Sequence, residues 1–239
     1  MSAAALLAGF TQGLAGFGSV IVALPVFTAL AGIKTAAPLA NLFAIGISLY
    51  LCIRLRSIKH WHSFRPLLIA ALPGILFGTW MLKIIQARFL EVGLAATITV
   101  YCLYSLFGKE NGRQFRSPWH YVAGFTSGLL GGSIGAYGPP ILIYISLQPW
   151  EVEIAKSFMS GFFFLGGVGI AISHAAGGLI DEKVLLLAAV SIPSVTVGVL
   201  LGSACEGWLN EQVYRKVILV LLQLLAVLLF FKPVLMVWT

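Results

Sequence analysis

The sequence predicts an all-α polytopic membrane protein. It has about eight hydrophobic segments, read as two homologous four-segment repeats, with the first segment of each repeat broken or re-entrant. Three observations predict this. Only 10% of the 239 residues are charged, 59% are hydrophobic and the mean hydropathy is +0.99, whereas about a quarter of the residues in a soluble domain are charged. The apolar residues form continuous runs and do not alternate with polar ones, which selects helices over barrel strands. A glycine-rich phrase is also written twice. Gly9-Phe10-Thr11-Gln12-Gly13-Leu14-Ala15-Gly16 returns as Gly124-Phe125-Thr126-Ser127-Gly128-Leu129-Leu130-Gly131, a shift of 115 residues that also carries Pro25 onto Pro140. Seven of the nineteen positions from Gly9 to Phe27 are identical in the second copy. Repetition over half a chain is an architecture, and in an apolar chain it points to a transporter.

A helix needs about 20 apolar residues to cross the hydrocarbon. The first segment, 3–30, is longer than that, and its middle holds Gly16-Phe17-Gly18-Ser19 followed by Pro25. Glycine is entropically costly in helices and proline removes a hydrogen bond, so the segment breaks there. Segments 33–53, 65–84 and 89–107 complete the first half, residues 1–107. A polar stretch, 108–118, connects it to the second half, 119–239. There, segment 120–147 breaks at Gly131-Gly132-Ser133-Ile134-Gly135-Ala136-Tyr137-Gly138-Pro139-Pro140, and 154–175 follows. Segment 184–204 repeats Pro73 and Gly78 as Pro193 and Gly198. The last, 213–231, is the plainest: Val217 to Phe231 contains one polar residue, Gln223.

Each broken segment is either a discontinuous helix or a re-entrant hairpin. Four crossings per half give parallel repeats; three crossings plus a hairpin give inverted ones. Lysine and arginine divide nine to six between the two faces in the first case and ten to five in the second. The positive-inside rule therefore leans to hairpins without deciding. In both cases the Arg54–Arg65 and Lys109–Arg116 stretches are cytoplasmic.

Composition excludes several function classes. The net charge of +7 comes from short basic loops, as at a cytoplasmic membrane face, so nucleic acid is not a partner. Cys52, Cys102 and Cys205 form no CxxC pair, and neither a disulfide scaffold nor a metal site is expected. HExxH and a mid-membrane acid pair are absent, so neither an enzyme nor a cofactor is expected. All eight carboxylates fall in loops or near segment ends, which leaves no acidic proton relay across the membrane.

What remains is an anion site. Irregular backbone at membrane depth persists where it lines a cavity or is buried in protein, and a broken helix turns free N–H groups toward an anion. The candidate site residues are therefore Gly16, Gly18, Gly131, Gly132 and Gly135 at the breaks. Thr11, Gln12, Ser19, Thr126, Ser127, Ser133 and Tyr137 stand beside them, as oxyanion ligands or as partners of helix carbonyls. Asn41 and Lys156 match under the 115-residue shift; Lys156 either faces the cavity or snorkels to the interface. The pairs Gly9/Gly13, Gly124/Gly128 and Gly198/Gly202 have the spacing of close helix packing. His174 reads as an interfacial residue, and His60-Trp61-His62 as a headgroup-level anchor.

The two phrases GFTQGLAGFGSVIVALP and GFTSGLLGGSIGAYGPP resemble the sulfite exporter TauE/SafE family over essentially the whole chain. That family carries roughly GxxxGxxGxGGG and then proline at the start of each half. Gly16-Phe17-Gly18-Ser19 and Gly131-Gly132-Ser133-Ile134-Gly135 depart from its glycine run. The resemblance implies a secondary transporter or facilitator in the inner membrane of a bacterium, moving sulfite, sulfonates or related organic anions. An anion channel or a non-transporting membrane subunit is the alternative. The expected partners are a small anionic substrate and the lipid bilayer, with homo-oligomerisation left open.

Overall fold

A computed structural model describes residues 2–15, 18–55, 61–107, 118–148, 150–205 and 223. Nearly all of the expected last segment, with Gly16, His60 and the stretch 108–117, lies outside them. Among the described residues the regular structure is helical throughout. The elements are α1 (Ser2–Ala15), α2 (Ser19–Ala31), α3 (Ile33–Arg54), α4 (Trp61–Ile84), α5 (Ala87–Phe107), α6 (Pro118–Ile134), α7 (Gly138–Ser146), α8 (Val152–Ala176) and α9 (Glu182–Ala204). Helices α3, α4, α5, α8 and α9 are long and apolar enough to cross a bilayer. Their outward faces carry large exposed apolar side chains, including Leu76, Phe77 and Trp80 on α4 and Leu186, Val190 and Leu200 on α9. Such a belt is what lipid contact requires. The core lies between α3 and α8, the two most buried spans, around Phe27, Leu39, Ile47, Phe158 and Phe162.

Both glycine-rich stretches break. At the first, Gly18 adopts φ +102° and precedes α2; at the second, Gly135 adopts φ +75° and ends α6. A side chain is strained in this left-handed region, so glycine is required at both turns.

The second break is a hairpin. Ser127 Oγ donates to the Tyr137 carbonyl at 2.5 Å, although ten residues of continuous helix would separate them by about 15 Å. The His120 and Tyr144 rings lie 5.3 Å apart, so the start of α6 meets the end of α7. Tyr104, near the end of α5, shares a 2.6 Å hydrogen bond with Ser146 at the end of α7. At the first break the chain also turns back: the Ser19 hydroxyl donates to Gln12 Oε1, and a Cβ on Gly18 would stand 3.0 Å from Thr11 Cγ2.

The first arms of the two hairpins are exchanged between distant parts of the chain. α1 packs along α9, and α6 packs along α4. Glycines make both seams backbone-to-backbone contacts. A Cβ on Gly198 would lie 2.2 Å from the Leu6 carbonyl oxygen, and one on Gly128 the same distance from that of Ala71. Gly9, Gly13 and Gly202 line the first seam; Gly74, Gly78, Gly124 and Gly132 line the second. The packing assignment of the GxxxG pairs thus holds at each seam. It extends to Gly132, which the sequence placed with the anion candidates.

One expectation is corrected here. His174 is fully buried rather than interfacial. The end of α8 packs over α6, where His174 Nε2 donates to the Gly132 carbonyl at 2.9 Å. Glu91 lies one turn into α5, near a segment end as expected, yet is also buried.

Candidate functional site

A narrow cleft, with about 20 Å³ of enclosed space and about 290 Å³ counting its open mouth, lies between the two hairpins. The first hairpin contributes Gln12 and Gly18 to Ile21, the second Tyr137, Gly138 and Leu142, and Ala44 and Phe163 close the sides. Its depth follows from those last two residues. Ala44 is the twelfth of the 22 residues of α3, and Phe163 the twelfth of the 25 of α8. The cleft therefore sits halfway along both central spans.

Its walls differ in what they can donate. Val22 N–H bonds back to Gly18 at 3.0 Å, which closes the first turn of α2. The preceding amides, Gly18, Ser19, Val20 and Ile21, are the four that an α-helix leaves without an intrahelical partner. All four residues line the cleft, and no side chain caps this end. The start of α7 is poorer. Its first turn holds Pro139 and Pro140, which have no N–H, leaving Tyr137 and Gly138 as the only end donors.

A buried chain of side chains fixes the α2 end. Gln12 Nε2 donates to Ser48 Oγ at 2.8 Å while Gln12 Oε1 accepts from Ser19. All three side chains are buried, so the polar groups of the cleft wall are paired and held in register. Across the cleft, Tyr137 OH donates to the Phe163 carbonyl at 3.3 Å and its ring meets Phe163 edge-on.

Helix α8 sends one basic side chain to the carboxyl end of each hairpin's first arm. Lys156 Nζ donates to the Leu14 carbonyl of α1 at 3.4 Å. His174, eighteen positions along α8, donates to Gly132 near the end of α6. Carbonyl ends of helices carry partial negative charge, which a nearby donor or cation offsets.

The other sequence candidates lie apart from the cleft. Thr11, Thr126 and Ser133 donate to carbonyls of their own helices, Leu7, Val122 and Leu129, at 2.7 Å each. Ser127 ties the second hairpin and Gly131 packs against Ile170 and Tyr137. Gly135 abuts Ala37. Asn41 Nδ2 donates to the Gly167 carbonyl at 3.0 Å in the α3–α8 seam, and its Oδ1 is buried without a partner. Of the residues the sequence singles out, Gln12, Gly18, Ser19 and Tyr137 meet at one place. Sequence reasoning missed Ser48, Ala44, Gly138 and Phe163. Gly138 stood in the glycine-proline run; the other three lie in apolar spans with nothing local to mark them.

A helical membrane bundle with two broken-helix elements meeting at a central cleft has the build of a membrane transporter. The chain belongs to the sulfite exporter TauE/SafE family, whose profile matches residues 1–229, and it is an integral multi-pass membrane protein. It is 28% identical over 195 residues to the probable sulfite/organosulfonate exporter TauE of Cupriavidus necator, covering 78% of this chain and 75% of that relative. No solved structure matches. The resemblance carried by the two glycine-rich phrases is thus borne out.

Proposed function

We propose that this protein is a secondary transporter of small anions, exporting sulfite, sulfonates or related sulfur oxyanions across the inner membrane of a bacterium. One observation supports the site above all: the uncapped amino end of α2 opens into a cleft at the middle of the bundle. A sulfur oxyanion matches that end in charge and in its several acceptor oxygens, and the cleft, with about 20 Å³ of enclosed space, must widen to admit it. The helix dipole adds about 0.3–2 kcal/mol of attraction. Ser19 and Gln12 hold the cradle in shape. Lys156 offsets the negative end of α1, which would otherwise repel an anion at the same turn. The start of α7, with fewer amides and a tyrosine, serves as the opposite wall.

The two halves, residues 1–107 and 119–239 joined by 108–118, are read as inverted repeats of three crossings and one hairpin. The turning back of the chain at each glycine-rich break supports this reading, as does the ten-to-five division of basic residues. Rocking the exchanged arms would open the cleft to alternate faces. The membrane potential drives each negative charge outward with about 2.3 kcal/mol per 100 mV, so export needs no proton relay.

Purified protein should be stabilised thermally by sulfite, sulfoacetate or thiosulfate, and less by acetate of equal concentration. In proteoliposomes, counterflow of the stabilising anion should saturate and should follow an imposed voltage. Stabilisation only by cations or sugars would end the proposal. Flux that ignores voltage and requires a proton gradient would end its energetic part, and non-saturating flux without counterflow would reassign the protein as a channel.

A further inference from the structure

We propose that the groove between α4 and α8 binds one acyl chain of an anionic phospholipid, with the headgroup phosphate on Arg65. The groove is apolar along its length, formed by Leu68, Leu72 and Ile75 on α4 and floored by Gly166 and Gly169 on α8. Its volume is about 400 Å³. Arg65 stands at one end and is exposed. No carboxylate is among the residues that line it.

Three features select this occupant. From Arg65 to Ile75 is ten helical residues, about 15 Å, which is half of a hydrocarbon core of about 30 Å. The groove is therefore as long as one leaflet's acyl region. Its charged end joins α4 to the basic 54–65 stretch, the face the sequence assigns to the cytoplasm and to anionic lipid. The glycine floor makes room. A Cβ on Gly166 would meet Leu68 Cδ2 at 3.8 Å and one on Gly169 would meet Ile75 Cδ1 at 3.5 Å, ordinary contacts with flexible side chains. Unlike the glycines of the α4–α6 seam, these two are not needed for backbone approach to α4. Their missing side chains leave a channel beside a guanidinium whose planar fork suits a phosphate.

Phosphatidylglycerol and phosphatidylcholine with identical chains are added to the detergent-purified protein, and retained lipid is counted by native mass spectrometry. Wild type should retain phosphatidylglycerol about five-fold better, the factor expected for one arginine at an anionic headgroup. Arg65→Gln, at an exposed position that leaves the fold intact, should bring the ratio to about one. Gly169→Leu should reduce retention of both lipids by filling the channel. Equal retention of the two lipids by wild type would overturn the proposal, as would an undiminished ratio in Arg65→Gln. Inorganic phosphate displacing phosphatidylglycerol at millimolar concentration would also overturn it, because the site would then belong to a free anion.

Discussion

Adding one methyl group at Gly128 should separate α4 from α6. A Cβ there would lie 2.2 Å from the Ala71 carbonyl oxygen and 2.9 Å from its carbonyl carbon. Backbone atoms cannot rotate away as a side chain can, so the helices must part by about an ångström to restore ordinary contact. A gap of 0.5–1 Å forfeits a quarter to a half of each dispersion well, and a buried leucine makes about 40–60 pair contacts of ~0.1–0.2 kcal/mol. If the seam is no larger than that, Gly128→Ala costs about 2–4 kcal/mol. Gly198→Ala, whose Cβ would meet the Leu6 carbonyl oxygen at 2.2 Å in the other seam, should cost the same. Gly46 on α3 supplies the control. A Cβ there meets nothing within 4 Å, so Gly46→Ala should be neutral or stabilise by up to ~1 kcal/mol through helix propensity. Thermal unfolding in detergent micelles, read by tryptophan fluorescence, ranks the three. If Gly128→Ala and Gly198→Ala unfold with Gly46→Ala, the seams do not depend on backbone contact and the exchanged-arm packing is refuted.

Three further outcomes are expected. Gln12→Leu removes the partner of both Ser19 and Ser48, each buried; each stranded hydroxyl costs about 1–3 kcal/mol, and chemical denaturation matching wild type would contradict the chain of bonds. Ser19→Asp buries a carboxylate at mid-membrane, a cost the dipole offsets by only up to ~1 kcal/mol, and removes the donor to Gln12 Oε1. The variant should be less stable than wild type, and its folded fraction should lose at least ten-fold in sulfite counterflow; full flux would move the anion elsewhere. His174→Leu strands the Gly132 carbonyl, whereas His174→Gln keeps an N–H donor. The first should lower the melting temperature and the second restore most of the loss; equal melting of the two would show that the contact contributes nothing.

The fold was legible because lipid imposes simple rules. Runs of apolar residues marked 33–53, 65–84, 89–107, 154–175 and 184–204, and the observed helices begin and end within about four residues of those bounds. Gly16-Phe17-Gly18 and Gly135 announced the breaks because glycine and proline are local signals. The direction of the chain after each break was not legible. It depends on long-range contacts such as Tyr104 with Ser146 and His120 with Tyr144, which no local pattern encodes. The burial of His174 escaped for a related reason: its position near a segment end says nothing about α6 crossing over it.

The duplicated phrase itself needs a second reading. Gly9 and Gly124 match under the 115-residue shift, as do Gly13 and Gly128, and all four lie where helix backbones touch. Thr11 and Thr126 also match, and each bonds the carbonyl four residues back. The residues that line the cleft do not match. Gly18 stands opposite Ser133, Ser19 opposite Ile134, and Tyr137 opposite Val22. Gln12 and Ser127 also differ, yet each ties its own hairpin, the first through a side-chain hydroxyl and the second through a carbonyl. The repeated letters therefore specify how the arms are held, and the unrepeated ones specify what the cleft presents. Two matching cradles would put like-charged demands on one small space. Under the proposed function, one amide-rich wall facing one proline-capped wall would give a single preferred seat for an anion, with a weaker surface opposite from which it could leave. If so, transplanting the second copy's residues into the first, Gly18→Ser with Ser19→Ile, should abolish anion-dependent stabilisation while keeping the glycine seams, at a cost of about 2–5 kcal/mol from a side chain at the positive φ of Gly18 and from the unpaired Gln12 Oε1. Retained stabilisation would show that the unrepeated residues do not set the seat.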